Sequence, residues 1–437
     1  MLLFDFMKIL DKLICYGLYL FVFLLPWQTR WIFKEASLNS VEWEYGRLSL
    51  YGSEILLIIL LILAVVKWLL YYQKLNQQQR AKEIKSEFSG LKLWLILLAL
   101  WSAITIIWSK DSLLSWYGWL KLMEGIALFW LISSRIFLIN KKIIGFSLIF
   151  SAVIQSLIGI GQWILQYSLS SKWLGMSYLN PAALGISVIE TASGRFLRAY
   201  GSFPHPNMLA GFLVISILIA FILINREKSS TKTKWFYFAL IVMSGGLFLT
   251  FSRAGWLALF ISLAVYLLFY YSKKINRQKL IQPAFLIILI FIFLSLANFD
   301  LIKSRLQGQE RLEVRSNIER LNSYKQALPI IKEYWYKGVG LGHYTLALHQ
   351  KNPVLESWDY QPVHDAALLS LAELGIIGLL LFILIIISAF RYRSKYTILL
   401  LVILILGCFD HYFRSFYVGI ILWWLIISLN SKVSGNL

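Results

Sequence analysis

Arginine and histidine side chains gather at a few places in this sequence, each beside an apolar run. Arg198 and His205 stand in Arg198-Ala-Tyr-Gly-Ser-Phe-Pro-His-Pro-Asn207, and Arg253 sits in Ser252-Arg253-Ala-Gly255. Arg311, Arg315 and Arg320 follow one another closely, and His364 precedes Asp365. A guanidinium can hold a phosphate through two parallel hydrogen bonds. An imidazole accepts or donates a proton near neutral pH. Together these groups suit the binding of an anion with a proton transfer beside it.

Each group has a plainer role as well. An arginine at a membrane boundary can lie along apolar surface with its head among lipid headgroups, which would account for Arg198 or Arg253 without any ligand. Yet Ala254 and Gly255 leave room for a bulky anion beside Arg253, where an unpaired charge in hydrocarbon would be costly. Gly201, Pro204 and Pro206 stiffen the first loop, and Asn207 is expected to cap a helix beginning at Met208. Arg311 and Arg315 can pair with Glu310, Glu313 and Glu319 on a solvated helix face. Arg320 lies nearest the aromatic end (Tyr324, Tyr334, Trp335, Tyr336) and is singled out for function. Asp365 suits a helix cap. Gly338-Val-Gly-Leu-Gly342 lacks the helix and distal acid of a dinucleotide loop and suits a turn with close backbone approach. No His, Cys or acidic spacing fits a metal, so neither metal nor cofactor is expected. Cys15 and Cys408 lie in apolar runs, with no disulfide or ligand pattern.

The elements that must carry these groups are membrane helices. The chain has 437 residues, 59% hydrophobic and 15% charged, with a mean hydropathy of +0.69. Roughly 20 apolar residues cross a hydrocarbon core of about 30 Å, and backbone groups there must be satisfied within a helix. About twelve spans are predicted, near 10–27, 51–72, 93–108, 117–138, 143–167, 208–225, 235–251, 255–272, 280–297, 366–389, 397–412 and 417–430. The first run, after Lys8 and Lys12, lacks a cleavage site and is expected to be retained. Basic residues cluster in alternate loops, at Lys74, Arg80, Lys82 and Lys85; Lys141 and Lys142; Arg226 to Lys234; Lys273 to Lys279; and Arg391 to Lys395. Those loops are then cytoplasmic, as are both termini. The formal charge of +20 is mostly this topology, and nucleic acid is not an expected partner. Lys121 and Glu124, three apart within a span, are expected to pair.

The predicted fold is an all-α polytopic membrane protein, one transmembrane domain over residues 1–437. A large, partly helical periplasmic loop, residues 298–365, lies between the ninth and tenth spans. Leu301, Leu306, Leu312, Ile318 and Leu321 recur at helical spacing, predicting a helix over residues 300–328 that ends near Pro329. All the equipped loops fall on the same non-cytoplasmic side.

The ordered set resembles the O-antigen ligase/polymerase family of bacterial envelope glycosyltransferases. The matching pieces are the Arg198 to Asn207 loop, Thr250-Phe-Ser-Arg253-Ala-Gly, Arg320 to Tyr324 with the glycine turn at 338–342, and His364-Asp365 with Leu371-Ala-Glu-Leu-Gly-Ile-Ile-Gly. The resemblance covers residues 195–380; before that it is only topological. Asp365 stands where the family often has Asn. The resemblance implies a glycan donor on a polyprenyl (undecaprenyl) diphosphate, a glycan or glycolipid acceptor such as lipid A-core, and membrane lipids as surroundings. It implies an inner-membrane enzyme with a periplasmic site, metal-independent; a single displacement with inversion at the anomeric carbon is the expected course. Arg253, Arg320 and His364 are then catalytic, with Arg198, His205, Arg315 and Tyr324 binding the diphosphate or glycan. A polysaccharide polymerase of the same superfamily shares these motifs. A lipid-glycan flippase or transporter would instead place its polar residues near mid-membrane, where Lys121, Glu124 and Gly245-Gly246 are the few candidates.

Overall fold

A computed structural model describes residues 2–80, 83, 90–271 and 277–431; Lys82, Lys85, Lys273 and Lys274, four of the basic residues expected inside, lie outside the described residues. Helices fall on each of the twelve apolar segments: Leu2–Leu24, Gly52–Gln73, Leu91–Ile104, Ser112–Ser133, Lys141–Leu165, Pro206–Ile224, Ser230–Leu249, Arg253–Tyr271, Arg277–Ala297, Ala366–Arg391, Ile398–Gly407 and Tyr417–Asn430. Seven described helices are long and apolar enough to cross a membrane, and Ile398–Gly407 and Tyr417–Asn430 are shorter apolar ones. Leu2–Leu24, Ser112–Ser133 and Ser230–Leu249 carry lysines or acids within their length.

Pro206–Ile224 is the hub. The apolar window of this helix is 94% buried, against Lys141–Leu165, Ser230–Leu249, Arg253–Tyr271 and Ile398–Gly407. Its N-terminal end therefore lies where several helix ends converge.

The all-helical expectation holds for the bundle and needs correction in the loops. Three small antiparallel sheets pair Arg30–Lys34 with Leu48–Tyr51, Ser37–Leu38 with Val41–Glu42, and Val188–Thr191 with Gly194–Leu197. The long loop also departs from a single helix ending near Pro329. Phe299–Gln307 stops at Gly308, whose φ of +64° suits a glycine after a helix. Arg311–Tyr334 then runs straight through Pro329. A proline costs a helix one hydrogen bond and crowds the carbonyl four residues back; here that residue, Lys325, is exposed, where water can serve its carbonyl. A second buried cluster, including Trp43, Ala327, Ile330, Tyr344, Leu348, Tyr360, Val363 and Leu369, makes the loop a packed cap.

The cap is stitched to the bundle at a helix break. Within Ala366–Arg391, Gly375 takes φ +66°, ψ −172°. The freed carbonyls find new donors: Val339 N donates to Ala372 O (2.9 Å), Gly340 N to Glu373 O (2.9 Å), and Trp101 Nε1 to Leu374 O (2.7 Å). Irregular backbone at such a place is tolerated when protein groups satisfy it. The approach demands two glycines. A Cβ on Gly338 would lie 2.2 Å from Glu373 O, and one on Gly375 2.4 Å from Tyr336 O.

One expected intramembrane pair gains a partner. Lys121 is 3.9 Å from Glu124 but lies much closer to Glu54, at the start of Gly52–Gln73.

Candidate active site

The hairpin Val188–Thr191/Gly194–Leu197 delivers Arg198 to the end of the bundle at which Pro206–Ile224 begins, where it is 3% exposed. Its Nε donates to Thr250 O (2.6 Å), Nη1 to Ser187 Oγ (2.6 Å) and Nη2 to Asn207 Oδ1 (3.1 Å). A guanidinium has five donors, so three protein partners make Arg198 first a clamp between the loops at 187, 207 and 250. Burial pushes its pKa down, and the charges of Arg305 and Arg320 push the same way.

Two glutamines of Lys141–Leu165 hold the following turn. Gln162 Oε1 accepts from Tyr200 N and Gly201 N, and Gln155 Oε1 from Ser202 N. Gly201 has φ +60°, and a Cβ there would meet Gln155 Oε1 at 2.6 Å. The helix then begins at Pro206, not Met208, and its cap is His205: Asn207 N donates to His205 Nδ1 (3.1 Å). Asn207 does something else. Its amide joins Arg198 to Asp410 Oδ2 (3.2 Å).

Arg253 opens the helix Arg253–Tyr271, so its charge adds to the positive end of that helix. Its Nη2 reaches Asn317 Oδ1 at 3.1 Å and Glu313 Oε2 at 3.4 Å, and the side chain keeps 30% exposure. Glu313 is shared. Its other oxygen pairs with Arg305, whose Nε donates to Phe251 O (2.9 Å). Arg305 is 8% exposed, and burial lowers its pKa, opposed by Glu313 and reinforced by Arg253 and Arg320. Arg320 acts electrostatically on Arg198, Arg305 and His364 alike, so it faces the same space.

His364 lies at the entry to Ala366–Arg391, where Asp365 caps the helix as expected by accepting from Leu368 N (2.7 Å). Tyr324 Oη donates to His364 O (3.4 Å), tying the cap helix to this turn. The His364 ring packs edge-on to His411, centroids 5.4 Å apart. Its Nδ1 is buried with no hydrogen-bond partner among the described residues. Burial lowers the His364 pKa; Asp410 raises it and Arg320 lowers it again. His205 is pushed down to about 3 and His411 to about 4, by burial above all. Three imidazoles, each shifted toward its neutral form by burial, thus surround one carboxylate. Burial pushes Asp410 up, but His411, His364 and His205 together hold it below its ordinary value.

The structure brings Arg198, His205, Arg253, Arg320, Tyr324 and His364 to one place. It does not bring Arg315, whose side chain is 61% exposed and pairs with Glu319 at 2.7 Å. Arg305, Glu313, Asp410 and His411 were missed from sequence. Asp410 and His411 had a visible signal, adjacent polar residues at the end of an apolar run. Arg305 had none, since only the break at Gly308 turns it toward Glu313. Four arginines (198, 253, 305, 320) outnumber Glu313, Asp410 and the helix-capping Asp365, with Glu319 held by Arg315, and leave a net positive charge beside an imidazole shifted toward its neutral form. Such a surplus is unfavourable alone and favourable around a multiply charged anion.

No curated protein matches the chain. Residues 238–383, which carry Arg253, Arg305, Glu313, Arg320, Tyr324 and His364, match the family model described as O-antigen ligase, and this match over part of the chain supports an assignment to that family.

Proposed function

We propose that this chain is a membrane glycosyltransferase that moves a glycan from a polyprenyl diphosphate carrier to a hydroxyl of an envelope acceptor, lipid A-core or a similar glycan. In this reading all twelve apolar helices cross the inner membrane, both termini are cytoplasmic, and the arginine cluster faces the periplasm. The observation that carries it is the surplus of guanidinium charge around Glu313 next to His364, whose Nδ1 has no hydrogen-bond partner among the described residues.

The acceptor oxygen attacks the anomeric carbon and gives its proton to the His364 imidazole. The bond from that carbon to the diphosphate oxygen breaks, and the lipid diphosphate leaves with the electron pair. Arg253 and Arg320 bind the oxygens on which charge grows, as oriented donors in a poorly solvated place do. Arg305 and Arg198 hold the surrounding frame through Glu313 and Asn207. Attack opposite the leaving group inverts the anomeric centre.

The test is incubation of the purified protein with a glycan on polyprenyl diphosphate and candidate acceptors. Glycan joined to an acceptor glycolipid, with free lipid diphosphate released, is the expected result. A product consisting of longer lipid-linked chains would make it a polymerase of the same chemistry. Release of neither product, with intact donor carried across a bilayer, would overturn the enzymatic reading in favour of a flippase.

A further inference from the structure

The helices Gly52–Gln73 and Ser112–Ser133 both begin beside the outer cap and run away from it. At 1.5 Å per residue their far ends lie roughly 30 Å from the cap, about one hydrocarbon thickness. Between those far ends opens a cleft of about 470 Å³, within the range of small-ligand sites, roughly 300–1,000 Å³. Its walls are apolar and aromatic: Val65, Trp68, Tyr72 and Trp130. Val65 and Trp68 are 57% and 44% exposed, and Trp68 stacks on Tyr72 with centroids 5.1 Å apart. Stacked Trp and Tyr at this depth match the aromatic belt of a membrane interface.

The mouth of the cleft is charged. Arg135 and Lys92 line it, with Glu83 as the acid. Arg135 lies just beyond the end of Ser112–Ser133, is exposed, and has no ion-pair partner among the described residues. An apolar slot with an unpaired guanidinium at headgroup level has the chemistry of a lipid site: acyl chain along the helices, anionic head at the arginine. We propose that this cleft binds one anionic glycerophospholipid in the leaflet opposite the candidate active site. The complementarity is twofold, since two cations against the one acid Glu83 leave the mouth net positive and favour a net-negative head, and a headless hydrocarbon would leave Arg135 unpaired.

The proposal stands apart from the transfer reaction and is tested on the full-length protein purified in detergent. Retained lipid is read by native mass spectrometry while phosphatidylglycerol, phosphatidylcholine or a polyprenyl phosphate is titrated in. Phosphatidylglycerol should be retained several-fold more tightly than phosphatidylcholine. Arg135→Gln should weaken it about fivefold, the factor that one cation near a membrane surface is worth. Val65→Phe, on the exposed wall, should shrink the cleft and weaken it with the charges intact. Equal retention of the two phospholipids, tighter binding of the polyprenyl phosphate, or wild-type phosphatidylglycerol retention in both variants would each overturn the assignment.

Discussion

If His364 accepts the acceptor proton, it must be neutral when it acts, so the acidic limb of the rate profile follows its pKa. Three charged neighbours act on that pKa: Asp410 and Glu319 raise it and Arg320 lowers it. Replacing Asp410 with Asn removes a charge that stabilises the imidazolium while keeping an amide to meet Asn207. The pKa then falls and the limb moves to lower pH. Arg320→Gln removes a repelling charge, so the limb moves to higher pH while the maximal rate falls. At an effective dielectric near 20 a unit charge about 4 Å away contributes about 4 kcal/mol, an upper bound for charges farther off. One pKa unit is about 1.4 kcal/mol, and His364 is only partly shielded, so each limb should move by about one pH unit. The assay is the pH dependence of kcat/KM for glycan transfer, measured on wild type and both variants under the same conditions. Limbs that stay put, or that both move the same way, would refute the assignment of the proton to His364.

Other perturbations separate structural from chemical roles. Arg253→Ala should cost about 10²–10³ in rate, the loss of one oriented donor to a developing oxyanion, with no loss of folded protein by size-exclusion profile. Arg305→Met should cost both activity and stability, because it leaves Glu313 buried beside a single half-exposed arginine; removing one partner of a buried pair costs about 3–5 kcal/mol, visible as a lowered Tm. Arg315→Ala should leave transfer unchanged and stability within about 1 kcal/mol, as for an exposed pair; a large activity loss would bring Arg315 back into the site. Gly375→Ala and Gly338→Ala should abolish folded protein through the 2.4 Å and 2.2 Å contacts, whereas Gly161→Ala, with nothing within 4 Å of its Cβ, should match or exceed wild-type Tm.

The apolar runs located the helices because hydrocarbon permits little else, and the boundaries differ from prediction mainly by caps. Pro206 fits the first helical position, so His205 became the cap that Asn207 was expected to be. What the sequence hid were partners brought together by the fold. Glu54 and Lys121 are 67 residues apart in sequence, and Asp410 meets Asn207 across the bundle. The helix through Pro329 was hidden for a local reason. A proline always costs a helix a hydrogen bond and a clash with the carbonyl four residues back, but the cost is smaller where water can serve that carbonyl, and exposure is not written in the residues themselves. Arg315 and Arg320 differ in the same way. Both look basic and loop-borne, and only helical phase, with Glu313, Tyr324 and Ala327 on the inward side, turns one toward His364 and leaves the other with Glu319.

The backbone completes the electrostatics of this end of the bundle. Pro206–Ile224, Arg253–Tyr271 and Ala366–Arg391 all begin here, at His205, Arg253 and Asp365. Each helix start carries about half a positive charge from its unpaired N–H groups. Those partial charges are fixed by helices and cannot reorient, so they add to the guanidinium surplus without the conformational freedom that weakens a flexible lysine. They also disfavour protonation of any imidazole nearby, in the same direction as burial. The arrangement that attracts an anion therefore also keeps His364 in the neutral form that accepts a proton. Asp410 opposes this, and its place among three histidines limits how far the His364 pKa can fall. A base held too acidic would be neutral at every relevant pH but too weak to take the proton. Anion binding and base strength are thus coupled through one set of charges, and a variant that strengthens the first by removing Asp410 should weaken the second.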